Sequence, residues 1–309
     1  MKNLPKAVGQ SDIKYPLGIA TALYNQPEFV PEIIENAKSM AGYGVISYLQ
    51  DDCSTDETFA LLKSLGESAS GVAISKTLEN GGCRANLADI LQKADTEYIL
   101  FKGGDDYIVT PSIEKVLSDI ERAPNTDIFI YCCAHVKKEA AFRAAMEPNI
   151  NSNLQLQQCR NYWLMEKNWG TALELLEACS RLPASLWVQG MVIKTSVAKK
   201  AGFLPAGRID DWGLIHNLAL LCGTKELNIE LRPEILSVLS VVPSSQGQDV
   251  ITQLMEQTLA IENYWSDNLK KEALLNVLAK KMMQMQKLDI DYSSVKSSIK
   301  AAIDNITAG

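Results

Sequence analysis

The chain reads YILFKGGDDY from Tyr98 to Tyr107, an apolar run followed by two glycines and two adjacent aspartates. The run Tyr98–Phe101 has the composition of a buried strand. Two neighbouring carboxylates at the end of a buried strand are costly unless a counter-charge offsets them. We therefore expect Asp105 and Asp106 either to hold a divalent cation or to lie in a solvated turn, which Gly-Gly-Asp-Asp also suits.

The segments around this stretch alternate between strand-like and helix-like patterns. Strands are predicted over 17–23, 45–49, 72–75 and 98–101, with helices over 31–41, 54–65 and 84–94 between them. This order predicts an α/β fold with a mostly parallel sheet covered by helices. Tyr24, Asp52, Gly81 and Asp105 each follow a predicted strand, so they would share the sheet edge at which ligands bind.

The second half of the chain is less regular. Strands are predicted over 126–133, 185–193 and 235–242, a helix over 210–222, irregular polar structure over 139–182, and helices from 249 onward. An apolar stripe at helical spacing lies in the last segment and consists of Leu274, Leu278, Met282 and Met285. We expect this stripe to pack on the main domain or on a second subunit. A peripheral contact of these lysine-rich helices with an anionic membrane surface is a less favoured alternative.

Composition excludes several classes of function. With 309 residues, 47% of them hydrophobic, the chain is long enough for one large domain with an appendage. A net charge of −7 argues against a nucleic-acid partner. Seven cysteines, an odd number without CxxC spacing, indicate a reducing compartment and hence a cytoplasmic location. Two histidines are too few for a multi-histidine zinc site.

Residues 51–56 read DDCSTD and follow the second predicted strand. A carboxylate here can accept the imide N–H of a pyrimidine base such as uracil, whereas aspartate and serine before a helix also serve as N-caps. Two aspartates before the cap exceed what capping requires. This favours a binding role for Asp52 and a capping role for Asp56.

Two further segments each have a functional and a structural interpretation. The glycines before Arg84 suit a phosphate at a helix N-terminus with Arg84 as its clamp, but a glycine pair alone favours a plain loop. Asp210 and Asp211 offer a carboxylate for general-base catalysis, or they stabilise the start of a helix through its dipole. His216 is interpreted as structural.

Together these segments resemble glycosyltransferase family 2, the inverting enzymes with the GT-A fold. The resemblance lies in LYNQPEF at 23–29, DDCSTD at 51–56, ENGG at 79–82, YILF at 98–101 with DDY at 105–107, and Gly202-Phe203 before Asp210-Asp211-Trp212. It implies a GT-A sheet flanked by helices, Rossmann-like in its α/β/α layers, over 1–248. The nucleotide-sugar half would span about 15–110 and the acceptor half about 111–248, followed by a helical C-terminal extension over 249–309.

The resemblance implies roles for residues on the donor side. Ala22, Tyr24 and Asp52 would contact the nucleotide base, Arg84 the diphosphate, and Asp105 the ribose or a metal. A UDP-sugar is the favoured donor because of Asp52, although a carboxylate can also accept from guanine.

The acidic pair carries the metal site that the resemblance implies. Asp106 and Asp105 would bind a divalent cation, Mn²⁺ or Mg²⁺. The family's fuller acidic motif begins with an aspartate where this chain has Gly103, and Ala22 and Leu23 replace its usual Pro-Thr. No family histidine is recognisable after the last predicted strand. These departures predict weak metal binding and leave open a non-catalytic relative that acts as a binding or scaffold subunit.

On the acceptor side, the resemblance makes Asp211 the catalytic base, with Asp210 as its neighbour beside the acceptor. Trp163, Trp169 and Trp212 are further candidates for the acceptor side because aromatic faces stack on sugars, although tryptophans more often serve in packing. The expected activity is transfer of a single sugar to a glycan or a lipid-linked acceptor in the synthesis of bacterial surface polysaccharide or glycolipid. A nucleotidyltransferase is a weaker alternative, because residues 23–29 lack the basic glycine-rich loop that it requires.

Overall fold

The computed structural model describes residues 15–150, 157, 159–183, 185–203, 210–241 and 250–287, with only the backbone at 210, 211, 250–253 and 287. The strands of these residues are β1 (Tyr15–Leu23), β2 (Val45–Asp51), β3 (Val72–Lys76), β4 (Thr96–Gly103), β5 (Tyr107–Ile108), β6 (Ile128–Lys137), β7 (Met191–Lys194) and β8 (Ile229–Val241). They form one sheet in the order β3-β2-β1-β4-β7-β6-β8-β5.

Most strands of this sheet point the same way. β1 pairs in parallel with β2 and β4, β2 with β3, and β6 with β8. Because β7 is antiparallel to both β4 and β6, β6 runs in the direction of β4. The carboxyl ends of β1, β2, β3, β4, β6 and β8 therefore lie at one edge, called here the carboxyl edge. The predicted mostly parallel α/β sheet is confirmed.

Helices cover the sheet. In the described part of the chain they are α1 (Val30–Ala41), α2 (Thr58–Gly66), α3 (Gly82–Lys93), α4 (Ile113–Arg122), α5 (Lys138–Met146), α6 (Ala172–Arg181), α7 (Thr195–Ala201), α8 (Asp210–Thr224), α9 (Val250–Tyr264) and α10 (Asp267–Lys287). α1 shows why they form: Pro31 stands in its first turn, and Ile33, Ala37 and Met40 bury one face at helical spacing.

The first half matches its prediction closely, because its central strands β1 and β4 are buried on both faces. In β1 the seven residues from Leu17 to Leu23 are all buried, and such central strands read as continuous apolar runs. β4 extends past the predicted Phe101 to Gly103 and includes Lys102, which is buried. Cys132 and Cys133 are fully buried in β6.

The strand predicted over 185–193 is shorter than expected. Only Met191–Lys194 pairs with its neighbours, and Val188–Gly190 forms a short 3₁₀ turn. The physical reason is the buried side chain of Asn161. Its Oδ1 accepts from the Trp187 N–H at 2.8 Å and its Nδ2 donates to the Trp187 carbonyl at 3.1 Å, so a side chain replaces the strand partner.

Two other predictions in the second half need correction. The segment 139–182 was expected to be irregular, yet it contains most of α5 and all of α6. β8 begins at Ile229 rather than at Ile235, and Pro233 lies inside it. The pairing of β6 with β8 shifts register between Ile130 and Cys132, opposite this proline, which is where a strand tolerates the missing N–H.

The helices α9 and α10 pack on the body of the protein through one apolar cluster. The cluster contains the predicted stripe, Leu274, Leu278, Met282 and Met285. At its centre His216 stacks on Trp265 with ring centroids 4.3 Å apart. The indole N–H groups of Trp212 and Trp265 both donate to the Ser180 carbonyl, at 2.8 and 3.1 Å. No helix of the described residues combines the length and the apolar character that a membrane span requires.

We expect Trp265→Ala to lower the free energy of unfolding by about 3–5 kcal/mol, because it removes a buried ring together with its stacking and its hydrogen bond. Urea denaturation followed by circular dichroism measures this change. The control Leu259→Ala truncates an exposed side chain of α9 and should change stability by less than about 0.5 kcal/mol. Equal effects of the two variants would contradict the role assigned to this cluster.

Candidate active site

The turns after β1 and β2 are bonded to each other at the carboxyl edge. The Asn25 N–H donates to Ser54 Oγ at 2.9 Å, and the Asp52 N–H donates to the Leu23 carbonyl at 2.8 Å. Asn25 has a φ of +49°, a left-handed conformation that asparagine tolerates. Tyr24 is 42% exposed in this turn, which makes its ring available to a ligand.

Asp52 is nearly fully buried, with 2% of its surface exposed. Its Oδ1 accepts hydrogen bonds from Thr77 Oγ1 and from the Gly81 N–H, both at 3.1 Å. Its Oδ2 is also buried but has no hydrogen-bond partner within the described part of the chain. A buried acceptor without a partner is destabilising, so a ligand N–H that reached this oxygen would remove a cost already present.

The neighbouring aspartates have structural roles. Asp51 Oδ2 accepts from the Ser54 N–H at 3.0 Å and lies 3.5 Å from the Lys76 ammonium. Asp56 Oδ1 accepts from the Thr58 N–H at 2.9 Å, but the N-cap of α2 is Glu57, so Asp56 stabilises the turn before the helix and does not cap it as predicted. Ser54 does not cap this helix, since its hydroxyl serves the turn after β1.

The glycine pair opens α3 at the same edge. Gly82 has a φ of +80°, which glycine adopts without strain, and its N–H donates to Asn80 Oδ1 at 3.0 Å. Arg84 stands in the first turn of α3, and its Nε is buried with no partner among the residues described. A helix N-terminus with an unpaired guanidinium suits a phosphate group.

The acidic turn after β4 is built over a buried lysine. The Lys102 ammonium, in a residue only 4% exposed, donates to the Asp106 carbonyl at 2.8 Å and to the Gly103 carbonyl at 3.1 Å. A Cβ at Gly103 would lie 2.9 Å from Asp105 Oδ1 and 3.3 Å from Asp106 Oδ2. The glycine therefore leaves room for both carboxylates to fold back over the strand end.

Asp106 connects this turn to the second half of the sheet. Its Oδ1 accepts from the Ser240 N–H at 3.2 Å, in β8. Its Oδ2 is 3.4 Å from Gln189 Nε2, in the turn before β7. Both contacts come from segments more than eighty residues away in sequence, so the first and second halves of the sheet meet at this carboxylate.

Burial shifts the protonation of the whole group. It raises the pKa of Asp106 to about 7, an effect that Asp105 reinforces and Lys102 opposes. Burial also raises the pKa of Asp105 and lowers the pKa of Lys102 to about 8. Groups whose pKa values lie this close to neutral pH change their protonation readily when another ion binds nearby. A bound cation would therefore favour the ionised state of both carboxylates.

The acidic pair fits a hard divalent cation. Such a cation takes one or two protein carboxylates and completes its shell with phosphate oxygens and water. Within the described residues, no group of three or more His, Cys, Asp or Glu side chains is arranged to hold a metal. A cation at this turn would therefore be held by Asp105 and Asp106 and by oxygens of its ligand.

The predicted acceptor residues fare unequally. Asp210 and Asp211 open α8, but their side chains lie outside what the structure describes. Trp212 is 2% exposed and packs on Trp265 with ring centroids 5.0 Å apart. Its indole is thus enclosed between α8 and the C-terminal helices, and we correct its assignment from the acceptor side to the core.

Of the other two predicted tryptophans, Trp169 needs correction, whereas Trp163 lines a small cavity together with Arg160 and Tyr162. Trp163 and Trp169 pack edge-to-face, with ring centroids 5.9 Å apart. Trp169 lines a wide groove with Thr126 and Ile229, which lie at the amino ends of β6 and β8. This groove is at the edge of the sheet opposite the acidic turn, so Trp169 does not face the candidate site.

Sequence reasoning missed residues that the structure brings to the site. Lys102 carried a signal, because a lysine inside an apolar strand must find a partner when it is buried. Gln189 and Trp187 carried none, since they were expected in a regular strand. Their position follows from the Asn161 side chain, which only tertiary structure reveals.

Comparisons with known families and structures show what this chain resembles. The family model described as "Glycosyl transferase family 2" matches residues 19–178. The structure of S. aureus TarS 1–349 in complex with UDP-GlcNAc is 14% identical, with a TM-score of 0.61, over 94% of this chain and 80% of that one. The mannosyltransferase PcManGT from Pyrobaculum calidifontis, in complex with GDP-Man and Mn²⁺, is 12% identical, with a TM-score of 0.53, over 95% and 86%. These likenesses confirm the expected GT-A type of sheet. No curated protein matches the sequence significantly.

The raised pKa of Asp106 predicts a pH-dependent stability. In the unfolded chain the Asp106 carboxyl loses its proton at roughly pH 3.9, whereas in the folded protein it keeps the proton to about pH 7. The stabilisation is therefore present at acid pH and is lost as the pH rises through this window. In chelator, we expect wild type to lose stability relative to Asp106→Asn, which cannot ionise, between about pH 5 and about pH 7.5.

Urea denaturation at steps of pH measures this difference. Asp56→Asn, at the exposed start of α2, is the control and should follow wild type at every pH. A difference between wild type and Asp106→Asn that stays constant over the range would contradict the raised pKa.

Proposed function

The chain belongs to glycosyl transferase family 2, and from that premise we propose that it moves a single sugar from a nucleotide-sugar to an acceptor hydroxyl, with inversion at the anomeric carbon. The family match confirms the resemblance seen in the sequence and makes the protein a glycosyltransferase. The bound ligands of the two structural neighbours, UDP-GlcNAc in one and GDP-Man with Mn²⁺ in the other, support a nucleotide-sugar donor.

The unpartnered oxygen of Asp52 carries the proposal. A uracil base presents an imide N–H between two carbonyls, and Asp52 Oδ2 is a buried acceptor that lacks a donor among the described residues. Tyr24, exposed in the adjoining turn, and Ala22, near the end of β1, supply the faces against which a base ring would rest. A UDP-sugar is therefore the preferred donor, with a GDP-sugar as the alternative.

Arg84 and the start of α3 would receive the diphosphate, because the Arg84 Nε is buried without a described partner. Asp105 and Asp106 would hold the cation, Mn²⁺ or Mg²⁺. When bound, such a cation neutralises charge that develops on a leaving diphosphate. The protein itself positions the donor, and the bonds from Lys102 fix the backbone of the acidic turn.

Asp211 is the proposed base, with Asp210 as its neighbour. Inversion requires that the acceptor hydroxyl attack from the face opposite the leaving group, so the base must approach from the acceptor side. The start of α8 supplies such a carboxylate on an element distinct from those that bind the donor.

The acceptor is proposed to be a glycan or a lipid-linked saccharide of bacterial surface polysaccharide or glycolipid synthesis, assembled in the cytoplasm. The C-terminal helices retain exposed apolar side chains, at Met255, Leu259 and Met283. These support a contact of the helices with a second copy of the chain or with a membrane surface.

We expect Asp52→Asn to weaken UDP binding by about 10- to 100-fold, because the amide can place a donor where the imide N–H needs an acceptor. Calorimetric titration of UDP and of GDP, each with and without Mn²⁺, measures the loss and identifies the donor class. Asp56→Asn leaves the pocket intact and is the matched control.

The same titration on Asp106→Ala tests the cation. Binding of UDP that Mn²⁺ strengthens in wild type, but not in Asp106→Ala, supports the site. If wild type binds neither nucleotide under any condition, the transferase assignment of this site fails and a scaffold role is favoured.

We expect Asp211→Asn to reduce sugar transfer by at least about 1000-fold while UDP binding stays within about twofold, since the base acts on the acceptor only. Transfer is followed by release of UDP in the presence of acceptor, with Asp210→Asn as the paired variant. Full turnover by Asp211→Asn, with loss in Asp210→Asn, would move the base to Asp210.

A further inference from the structure

Three side chains form a small surface beside the acidic turn that no step above uses. The Arg160 guanidinium lies over the Trp187 ring, 5.4 Å from its centroid, and the His135 ring meets Trp187 edge-on at 5.2 Å. His135 stands near the carboxyl end of β6. Arg160 and His135 are exposed, whereas Trp187 is half-buried. This group is called here the Arg160 platform.

The platform is rigidly held. The Arg160 backbone pairs with Cys133 of β6, in both directions, at 2.8 and 3.1 Å. The next residue, Asn161, is fully buried with a φ of +67°, and its side chain bonds the Trp187 backbone and the Tyr131 carbonyl. A surface fixed by buried hydrogen bonds is suited to binding, because little conformational entropy is lost when a ligand arrives.

The platform adjoins the acidic turn through Gln189. This residue lies two positions after Trp187, and its Nε2 is 3.4 Å from Asp106 Oδ2. Its Oε1 and the Trp187 indole N–H are buried with no partner among the residues described. One acceptor atom and one donor atom are thus available to a ligand that binds between the platform and the acidic turn.

The charge of the platform is uncompensated in the described structure. No carboxylate of the described residues forms an ion pair with Arg160 within 4.0 Å. Partial desolvation of the otherwise exposed ring and the neighbouring Arg160 lower the pKa of His135, so its imidazole stays neutral and able to accept or donate one hydrogen bond at neutral pH. An exposed guanidinium, stacked on an aromatic ring and free of a carboxylate, is the geometry that binds a planar or tetrahedral anion.

Space for a ligand lies next to this charge. A cavity of about 290 Å³ is lined by Arg160, Tyr162 and Glu166. Its volume is near the lower end of the range of small-molecule sites. A hydroxyl-rich group would find in this cavity a phenol and a carboxylate as hydrogen-bond partners, while an attached anion could reach the guanidinium.

We propose that the Arg160 platform is an acceptor subsite and that it selects acceptors with an anionic group, a phosphate or a carboxylate, next to the sugar or polyol that is glycosylated. This inference rests on the proposed transferase function, because it uses Asp106 to define where the donor lies. Trp187 provides the stacking face and Arg160 the charge, and Gln189 connects both to the acidic turn.

The test uses the full chain with ¹⁵N-labelled indoles and saturating UDP, so that the diphosphate site near Arg84 is filled before an anionic probe is added. Three probes share a glucose ring, and only the last two carry an anionic group: methyl glucoside, glucose 6-phosphate and glucuronic acid. We expect each anionic probe to bind with a dissociation constant at least about 5-fold lower than that of the neutral probe. Binding is measured from the shift of the Trp187 indole signal, which is assigned with Trp187→Phe. The anionic probe that binds more tightly shows whether the subsite prefers a phosphate or a carboxylate.

The variant Arg160→Gln keeps the backbone pairing with Cys133 and should abolish the preference for anionic probes. Arg160→Lys should retain part of it, and Arg143→Gln, an exposed arginine of α5, should retain all of it. No shift with any probe, or an unchanged preference in Arg160→Gln, overturns the proposal while UDP binding in the same samples stands. If only UDP binding is absent, the proposed donor site is overturned. A shift of the Trp187 signal that depends on Arg160 would then still support the platform.

Discussion

The burial of Lys102 beneath the acidic turn is the constraint on which the candidate site depends. Two adjacent carboxylates at the end of a buried strand repel each other and lose their hydration, and each effect opposes folding. The Lys102 ammonium offsets their charge and, by bonding the Gly103 and Asp106 carbonyls, also fixes the backbone that presents them. An arginine would not serve equally, since its planar fork needs more room than a point charge does.

This turn determines how the two halves of the sheet meet. Asp106 is bonded from β8 through the Ser240 N–H and from the turn before β7 through Gln189. The turn after β4 supplies the carboxylate, and the later strands of the sheet supply the groups that hold it. A change in the charge of Asp106 would therefore alter contacts in both parts of the sheet.

The contrast between prediction and structure follows the range of the interactions. The strands β1 to β4 were predictable, because the buried strands of a parallel sheet leave continuous apolar runs. The turn at 187–190 was not predictable, because the groups that satisfy its backbone belong to Asn161. Trp212 follows two aspartates in the sequence, which suggests an exposed position. Its burial is evident only from the structure, in which the C-terminal helices cover it.

Charge balance supports assigning the donor to this edge. The two carboxylates of the acidic turn and the diphosphate of a nucleotide-sugar together carry four negative charges, and Lys102, Arg84 and a divalent cation together carry four positive ones. Cleavage of the sugar–phosphate bond adds one negative charge to the leaving group. In the proposed transfer that charge would be stabilised by Arg84 and by the cation, whereas the proposed acceptor subsite at the Arg160 platform would hold a separate anion and would not compete for the diphosphate.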